Sequence, residues 1–188
     1  MKTYCTYIML LFTCVGFAQQ SLNVKYKVYY NTDRPTTKDA LLHIRTNEYV
    51  YIEGVNTEAL VKLSKEDDNF LSVQSRGSVT YNQIDLKNDT ITSKVNIKGG
   101  DYILEEKIPQ MDWTITNKIK NIEGIISKEA ILKFRGRSYT AWFTEEIPVS
   151  AGPWKFNGLP GLILEITDHN NRYTWQAISI KQNKEVNL

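Results

Sequence analysis

The chain has 188 residues, 41% of them hydrophobic, and its 23 basic and 21 acidic side chains leave a formal net charge of +2. This length is enough for one domain with its own core. The even charge balance lacks the clustered Lys and Arg residues that bind nucleic acid. We therefore expect a single globular domain with no nucleic-acid partner.

The N-terminus has the pattern of a secretory signal peptide. Lys2 precedes an apolar stretch from Ile8 to Phe17, which is too short to span a bilayer. Gly16-Phe17-Ala18 then places small residues where a signal peptidase requires them. We predict a signal peptide over residues 1–18 and a mature domain over residues 19–188 without a transmembrane segment. The mature protein would reside in the periplasm, in the cell envelope or outside the cell.

Both cysteines, Cys5 and Cys14, lie within the predicted signal peptide. The mature chain would then hold no disulfide, no zinc-thiolate site and no cysteine nucleophile. Lipidation at Cys14 is an alternative, but Thr13 stands where Gly, Ala or Ser normally precedes a lipidated cysteine. Loss of Lys2 with the signal leaves 22 basic and 21 acidic residues, a net charge of +1. The core must therefore supply the stability by itself.

The mature sequence alternates polar and apolar residues with the period of β-strands. The strand-like segments lie at 24–30, 49–52, 79–86, 91–97, 113–116, 138–144 and 173–177. Turn-forming residues separate them, at 31–35, 66–69, 76–77, 87–89, 99–100 and 168–171. Short helical turns are expected near 37–42 and 57–65.

Short strands at intervals of about ten residues favour an antiparallel all-β domain over a fold with crossover helices. We predict a single, strongly curved sheet, a half-barrel or an open barrel, with few or short helices. A sandwich of two sheets is an alternative that periodicity alone does not exclude. The abundant Tyr and Trp residues suit strands whose second face is half-buried.

The most informative segment runs from Glu146 to Glu165 and reads EIPVSAGPWKFNGLPGLILE. Within it, Gly158-Leu-Pro-Gly161 contains the Pro-Gly pair of a type II turn, with Pro160 at the second turn position and Gly161 at the third, which needs positive φ. Gly152-Pro153 marks a second corner. The sequence therefore predicts that the chain changes direction twice here.

A short strand should follow the second corner, from Leu162 to Thr167. Strict alternation would place Leu162, Leu164 and Ile166 on one face, with Ile163 and Glu165 on the other. We expect backbone-shaping roles for six residues near the corners, namely Gly136, Gly152, Pro153, Gly158, Pro160 and Gly161.

Five motifs lie between Ser127 and Asp168. They are Phe134-Arg-Gly-Arg137, Tyr139-Thr-Ala-Trp-Phe143, Glu146-Ile-Pro148, Gly152-Pro-Trp-Lys-Phe156 and the hexapeptide Gly158-Leu-Pro-Gly-Leu-Ile163. With them the chain resembles the GLPGLI family. The resemblance implies an exported bacterial cell-envelope protein with no established biochemical function. It also implies further strands beyond Arg172 to Lys181, so we expect a chain that ends at Leu188 to lack terminal strands or to be a fragment.

The sequence offers little material for catalysis. His43 and His169 are its only histidines, and neither a nucleophile elbow nor a zinc-protease motif is present. The acidic pairs Glu105-Glu106 and Glu145-Glu146 are adjacent, so on a strand each pair would face opposite sides and could not act together on a glycosidic bond. We predict no catalytic residue, no metal and no cofactor.

The first functional hypothesis is a binding or carrier protein that holds an apolar or peptide ligand on the concave face of the sheet. The candidate contacts are large apolar residues beside the predicted corners, namely Trp142, Trp154, Phe156, Leu159 and Trp175. The alternative is that these side chains simply form the core. Arg135 and Arg137 could pair with Glu145, Glu146 or Glu165, or could bind an anionic partner.

Two other hypotheses remain open. The protein could be an envelope interaction module that docks through an exposed edge strand or the Gly-Pro loop, with Glu146 to Ser150 extending a partner's sheet. It could also be a hydrolase with an unrecognised nucleophile among its Ser, Tyr, Lys and Asp residues.

Overall fold

The computed structural model describes residues 20–54 and 80–184, which form one antiparallel sheet of eleven strands. The strands are β1 Gln20–Tyr30, β2 Thr36–Ile44, β3 Glu48–Glu53, β4 Thr80–Asp85, β5 Thr90–Ile97, β6 Gly100–Lys107, β7 Thr114–Ile122, β8 Ile125–Phe134, β9 Arg137–Thr144, β10 Leu162–Asp168 and β11 Tyr173–Lys184. This part of the chain contains no helix, and hence none that could cross a membrane. The predicted signal peptide with both cysteines, and the turns and helical segment predicted within 57–77, lie outside the described residues.

The sheet consists of two meanders that meet at its centre. Its strand order is β6-β5-β4-β3-β2-β1-β11-β10-β9-β8-β7. The first meander, β1 to β6, runs outward to one edge, and the second, β7 to β11, returns from the opposite edge until β11 pairs with β1 along eleven residue pairs. A single sheet confirms the predicted fold class, and it excludes the sandwich alternative for the described residues.

The sheet curls strongly, because its two edge strands are consecutive in sequence. Strands lie about 4.8 Å apart, so ten spacings would separate β6 from β7 by about 48 Å in a flat sheet. Only residues 108–113 connect these strands, and so short a connection reaches at most about 25 Å. The edges therefore approach each other without hydrogen bonding to each other, and the sheet stays open between β6 and β7.

The core lies on the concave face of this curl. On β1 the alternation is complete, with Val24, Tyr26 and Val28 fully buried between half-buried lysines. The Tyr26 hydroxyl donates a hydrogen bond to the carbonyl of Ile163 on β10, at 2.6 Å, and burial raises the pKa of that hydroxyl. The Tyr26 side chain thus reaches the backbone of a strand two positions away in the sheet, which ties the two meanders together.

Three sequence-based expectations fail in the fold. Residues 37–42, for which a helical turn was expected, belong to strand β2, because each is paired with β1 through a continuous antiparallel register. Strands β6 and β8 have no counterpart among the predicted segments. Strand β10 carries a register shift between Ile163 and Glu165, so Leu162, Ile163 and Leu164 are all buried and strict alternation is lost.

Candidate functional site

The signature segment forms an insert between β9 and β10 that folds over the concave face. We call residues 145–161 the insert. It has no regular strand of its own, but the amide of Leu162 donates to the carbonyl of Ile147 at 3.1 Å, and that of Ile163 to Ala151 at 2.9 Å. Ala151 also pairs with Asn157 as an isolated bridge. The start of β10 therefore anchors the insert along its length.

Close contact between backbones, rather than a type II turn, explains why Gly161 is a glycine. Gly161 is absent from the residues with positive φ, whereas Gly158 has a φ of 90°. A Cβ added at Gly161 would lie 2.0 Å from the carbonyl oxygen of Thr144, where no side chain fits. The predicted turn is therefore wrong, although the expectation that Gly161 shapes the backbone agrees with this contact.

Gly152 is restricted in a similar way. A Cβ there would lie 2.7 Å from Cδ1 of Ile163 and 3.0 Å from the carbonyl oxygen of Phe156. Pro153, which follows, accepts the hydrogen bond of a turn from the amide of Phe156 at 3.1 Å. The Gly-Pro corner thus brings the insert into direct contact with β10, and the segment after it is a turn rather than a strand.

Phe156 is the centre of an aromatic cluster that fills the concave face beside the insert. Its ring centroid lies 4.9 Å from that of Tyr139, 5.3 Å from Trp154 and 5.7 Å from Trp175, all in edge-to-face contact. Trp113 and Phe134 complete the cluster. Phe156 is fully buried, so these contacts form core packing of the kind that large aromatic side chains stabilise.

The predicted contact residues fall into two groups by exposure. Phe156, Leu159 and Trp175 are buried in the core, whereas Trp154 and Trp142 are half-buried. Trp142 pairs with Glu165 and Glu129 across β9, on the opposite face from buried Ala141 and Phe143. The structure therefore does not bring the five candidate apolar contacts together into one open site.

A buried polar network on the concave face was missed by the sequence analysis. Glu53 accepts hydrogen bonds from the hydroxyl groups of Tyr30 and Tyr51, the latter at 3.0 Å, and pairs with Lys38 at 3.1 Å. Trp175 donates its indole N–H to the Tyr51 hydroxyl at 3.1 Å. The alternation of strand β3 could have placed Glu53 beside Tyr51, but only the fold brings in Tyr30 and Trp175.

An ionic cluster around Glu106 joins the edge strand β6 to the β8–β9 turn and to the insert. The Glu106 carboxylate pairs with Arg135 in the β8–β9 turn at 2.7 Å and with Lys155 of the insert. The Lys155 ammonium, hydrogen-bonded to this carboxylate, and the Arg135 guanidinium hold the pKa of Glu106 below its usual range. The Arg135 side chain also lies over the rings of Phe134 and Trp154. This cluster connects β6 to the β8–β9 turn, and these elements would be about 40 Å apart in a flat sheet.

Arg137 takes a partner in the β10–β11 loop. Its guanidinium donates to Asp168 at 3.4 Å and lies over the ring of Tyr173. Pairing with Glu145, Glu146 or Glu165 was one of two alternatives for these arginines, and in the structure their carboxylate partners are Glu106 and Asp168 instead. Those glutamates have nearer donors, since Glu145 pairs with Lys128, Glu165 with Lys120, and Glu146 accepts from the amide of Ile126.

An open cleft lies between the insert and one end of the sheet. It has a volume of about 630 Å³, which is within the usual range for small-molecule sites. Its apolar walls consist of the ends of β1, β2, β3 and β11 and the insert, through Leu22, Ile44, Tyr49, Ile147, Val149 and Ile180. Polar residues at its rim include Arg45, Glu146 and Gln182. Of the segments singled out from the sequence, Glu146 to Ser150 lines this cleft.

Among the residues described, no group of three His, Cys, Asp or Glu side chains is placed to hold a metal ion. The two histidines lie in different elements. His43 is within β2, hydrogen-bonded to Asn23, and His169 is in the loop after β10.

A comparison with protein families finds one match over part of the chain. A model described as a protein of unknown function, Porph_ging, matches residues 80–165. This range contains strands β4 to β9, the whole insert and the start of β10. The chain is thus similar to a family whose function is unknown, and no curated protein matches it in sequence.

Solved structures support the fold. Two structures of PNGF-II, in space groups C2 and P21, superpose with TM-scores of 0.61 and 0.58 at 16% and 17% identity, each covering 89% of this chain. The chain spans only 28% and 29% of those proteins. A putative outer membrane lipoprotein-sorting protein domain from Vibrio parahaemolyticus aligns at 6% identity over 90% of this chain and 87% of its own, with a TM-score of 0.36 that is too low to support an argument.

Proposed function

We propose that this chain is an exported cell-envelope protein of the GLPGLI type that acts by binding rather than by catalysis. The cleft between the insert and the sheet end would be its ligand site. The observation that carries the proposal is that residues 146–150 of the signature segment form one wall of a cleft of about 630 Å³. Export is supported by the signal-like N-terminus.

The location differs from the centre of the concave face, where the sequence analysis placed the ligand. There Phe156 and Leu159 are buried in the core and leave almost no exposed surface for a ligand to cover. At the sheet end, by contrast, Ile147 and Val149 are only half-buried and line an open space. An apolar or peptide ligand would cover these side chains and remove their surface from water, which stabilises binding by about 25 cal/mol for each Å² buried.

The wall is fixed before any ligand arrives, and a fixed wall lowers the entropy cost of binding. The amide of Val149 donates to the carbonyl of Ile147 at 2.8 Å, and Ala151 donates to Val149 at 2.8 Å. The Ser150 hydroxyl accepts from the amide of Gly158 at 2.9 Å. These bonds hold residues 147–151 in one conformation on the rim of the cleft.

Titration with the apolar fluorophore N-phenyl-1-naphthylamine tests this site. We expect saturable binding by the exported protein and at least tenfold weaker binding by Val149→Lys, because the charge would have to enter an apolar wall. Ile103→Lys is the matched control, since Ile103 is exposed on β6 and does not line the cleft. Equal affinity of Val149→Lys and the unmodified protein would refute the location, and native mass spectrometry would show any ligand that copurifies.

A second candidate function rests on the free edge of the sheet. Within the described residues, strand β6 pairs only with β5, and its residues Tyr102, Ile103 and Leu104 are each more than half exposed. An open, apolar edge strand is a template for pairing with another strand. Because Asp101 and Glu105 flank these residues, we propose that the partner strand is apolar and basic.

Crosslinking in cells separates the two functions. A photoreactive residue at position 103 should capture a partner protein if β6 extends another sheet, and one at position 149 should not. Capture from position 149 but not from position 103 would argue against the edge strand.

A further inference from the structure

A second, polar groove lies at the end of the sheet opposite to the apolar cleft. It has a volume of about 470 Å³, and its walls are the β8–β9 turn with the start of β9, residues 135–138, and the loop after β10, residues 168–170. The amide of His169 donates to the carbonyl of Ser138 at 2.8 Å, which holds the two walls together. Arg135-Gly136 forms the turn with φ values of 48° and 77°, the pattern of a type I′ hairpin.

Positive charge exceeds negative charge around this groove. Arg135, Arg137 and Lys155 supply three cations, and Glu106 and Asp168 supply two carboxylates, all within the two ion-pair clusters described above. Among the described residues, these two clusters therefore hold one more positive charge than negative charge. An anion in the groove would balance it.

Within the part of the chain that the structure describes, both guanidinium groups keep unused donors. Each has five N–H groups, and Arg137 uses one of them in a long bond of 3.4 Å to Asp168. Asp168 does not depend on that bond, because its other oxygen accepts from the amides of Arg172 at 2.6 Å and Tyr173 at 2.8 Å. Arg137 can thus bind a second oxyanion without leaving Asp168 unsatisfied.

Aromatic rings hold both guanidinium groups in place. The Arg135 guanidinium carbon lies 5.1 Å from the ring centre of Phe134 and 5.8 Å from that of Trp154, and that of Arg137 lies 4.9 Å from Tyr173. Contact with a ring face leaves the edge of a guanidinium for hydrogen bonding, and that edge fits the two oxygens of a carboxylate or phosphate.

We propose that this groove binds the oxyanion group of an anionic ligand, a carboxylate or a phosphate, through Arg135 and Arg137. His169, which is exposed and lines the groove, adds a donor from the opposite wall. The groove and the apolar cleft are at opposite ends of the sheet, and neither proposal depends on the other.

NMR titration of the mature protein with inorganic phosphate and, separately, with succinate tests the proposal at low ionic strength. We expect saturable shifts of the amides of residues 136–138 and 168–170 with at least one of the two anions. Arg135→Gln and Arg137→Gln should each weaken binding about tenfold, the effect of losing a charge-assisted hydrogen bond. Tighter binding of phosphate or of succinate would show which oxyanion the groove prefers.

Arg172→Gln is the matched control, because it removes the same charge from the same loop although Arg172 does not line the groove. Arg137→Lys keeps the charge but removes the planar fork, and we expect intermediate affinity. Thermal unfolding of each variant identifies any that is not folded. If a glutamine variant is not folded, the anion affinity of Arg137→Lys tests the proposal instead. Absence of saturable shifts with both anions, or equal weakening by Arg172→Gln, would overturn the proposal.

Discussion

The two meanders of the sheet treat their concave faces differently. In the C-terminal meander the insert covers this face. The residues of β8 and β9 beneath the insert, among them Leu132, Ala141 and Phe143, are almost completely buried. In the N-terminal meander no described segment covers Ile97, Tyr102 and Leu104 of the last hairpin, and these side chains are about half exposed. A chain segment without regular secondary structure therefore supplies the core of the C-terminal half. The N-terminal half, by contrast, ends in an open edge.

The largest expected effect is at the centre of the covered half. Phe156→Ala should lower the free energy of unfolding by about 3 to 5 kcal/mol, because it removes a fully buried ring and leaves a cavity among five other aromatic residues. Tyr102→Ala, in the open half, should change it by less than about 0.5 kcal/mol. Urea unfolding of both variants gives the two values. Similar losses would show that the insert does not serve as core.

The next effect concerns the contact that holds the insert against β9. Gly161→Ala should cost about 3 kcal/mol, since the added Cβ would collide with the Thr144 carbonyl. Gly99→Ala is the matched control in the open half, because nothing lies within 4 Å of its Cβ position. There only the positive φ is penalised, by about 1 kcal/mol. If chemical denaturation gave both alanine variants the same stability, the close contact at Gly161 would be disproved.

The smallest expected effect is at the ionic cluster around Glu106, which joins the two meanders. Since the folded pKa of Glu106 is depressed, its ion pairs stabilise the fold above the ordinary glutamate pKa of about 4.3. That contribution is lost as the pH falls through the lower, folded pKa. Glu106→Gln should therefore destabilise the protein at pH 7 by no more than about 1 kcal/mol, because the group is partly exposed.

The same variant should have no effect once the carboxylate of the unmodified protein is protonated. Unfolding curves of both proteins at pH 7 and at the lowest pH at which both stay folded provide the comparison. A difference in stability that is the same at both pH values would exclude an ionic role for Glu106.

The alternation of polar and apolar residues, together with the turn signals, was enough to predict the fold class and eight of the strands. It located β1 because Val24, Tyr26 and Val28 face a dry core and their neighbours face water. It failed for β6, where Tyr102, Ile103 and Leu104 are all exposed and no buried face imposes a period. It failed within β10 because the register shift at Ile163 and Glu165 buries three consecutive residues.

The candidate sites were harder to predict because they depend on contacts distant in sequence. Arg135 and Arg137 were identified from their turn motif, but their partners Glu106 and Asp168 are 29 and 31 residues away. The apolar cleft joins the insert to Leu22 and Ile180 at opposite ends of the chain. Local pattern carries no information on which strand ends will meet around an insert.

Amide hydrogen exchange tests most directly whether the insert belongs to the core. The amides of Phe156, Leu162 and Ile163, which are bonded to the insert's own carbonyls, should exchange only on global unfolding, as slowly as those of β9 and β10. The amides of β6 should exchange much faster through local opening of the edge. Exchange of the Phe156 and Ile163 amides as fast as that of β6 would contradict the account.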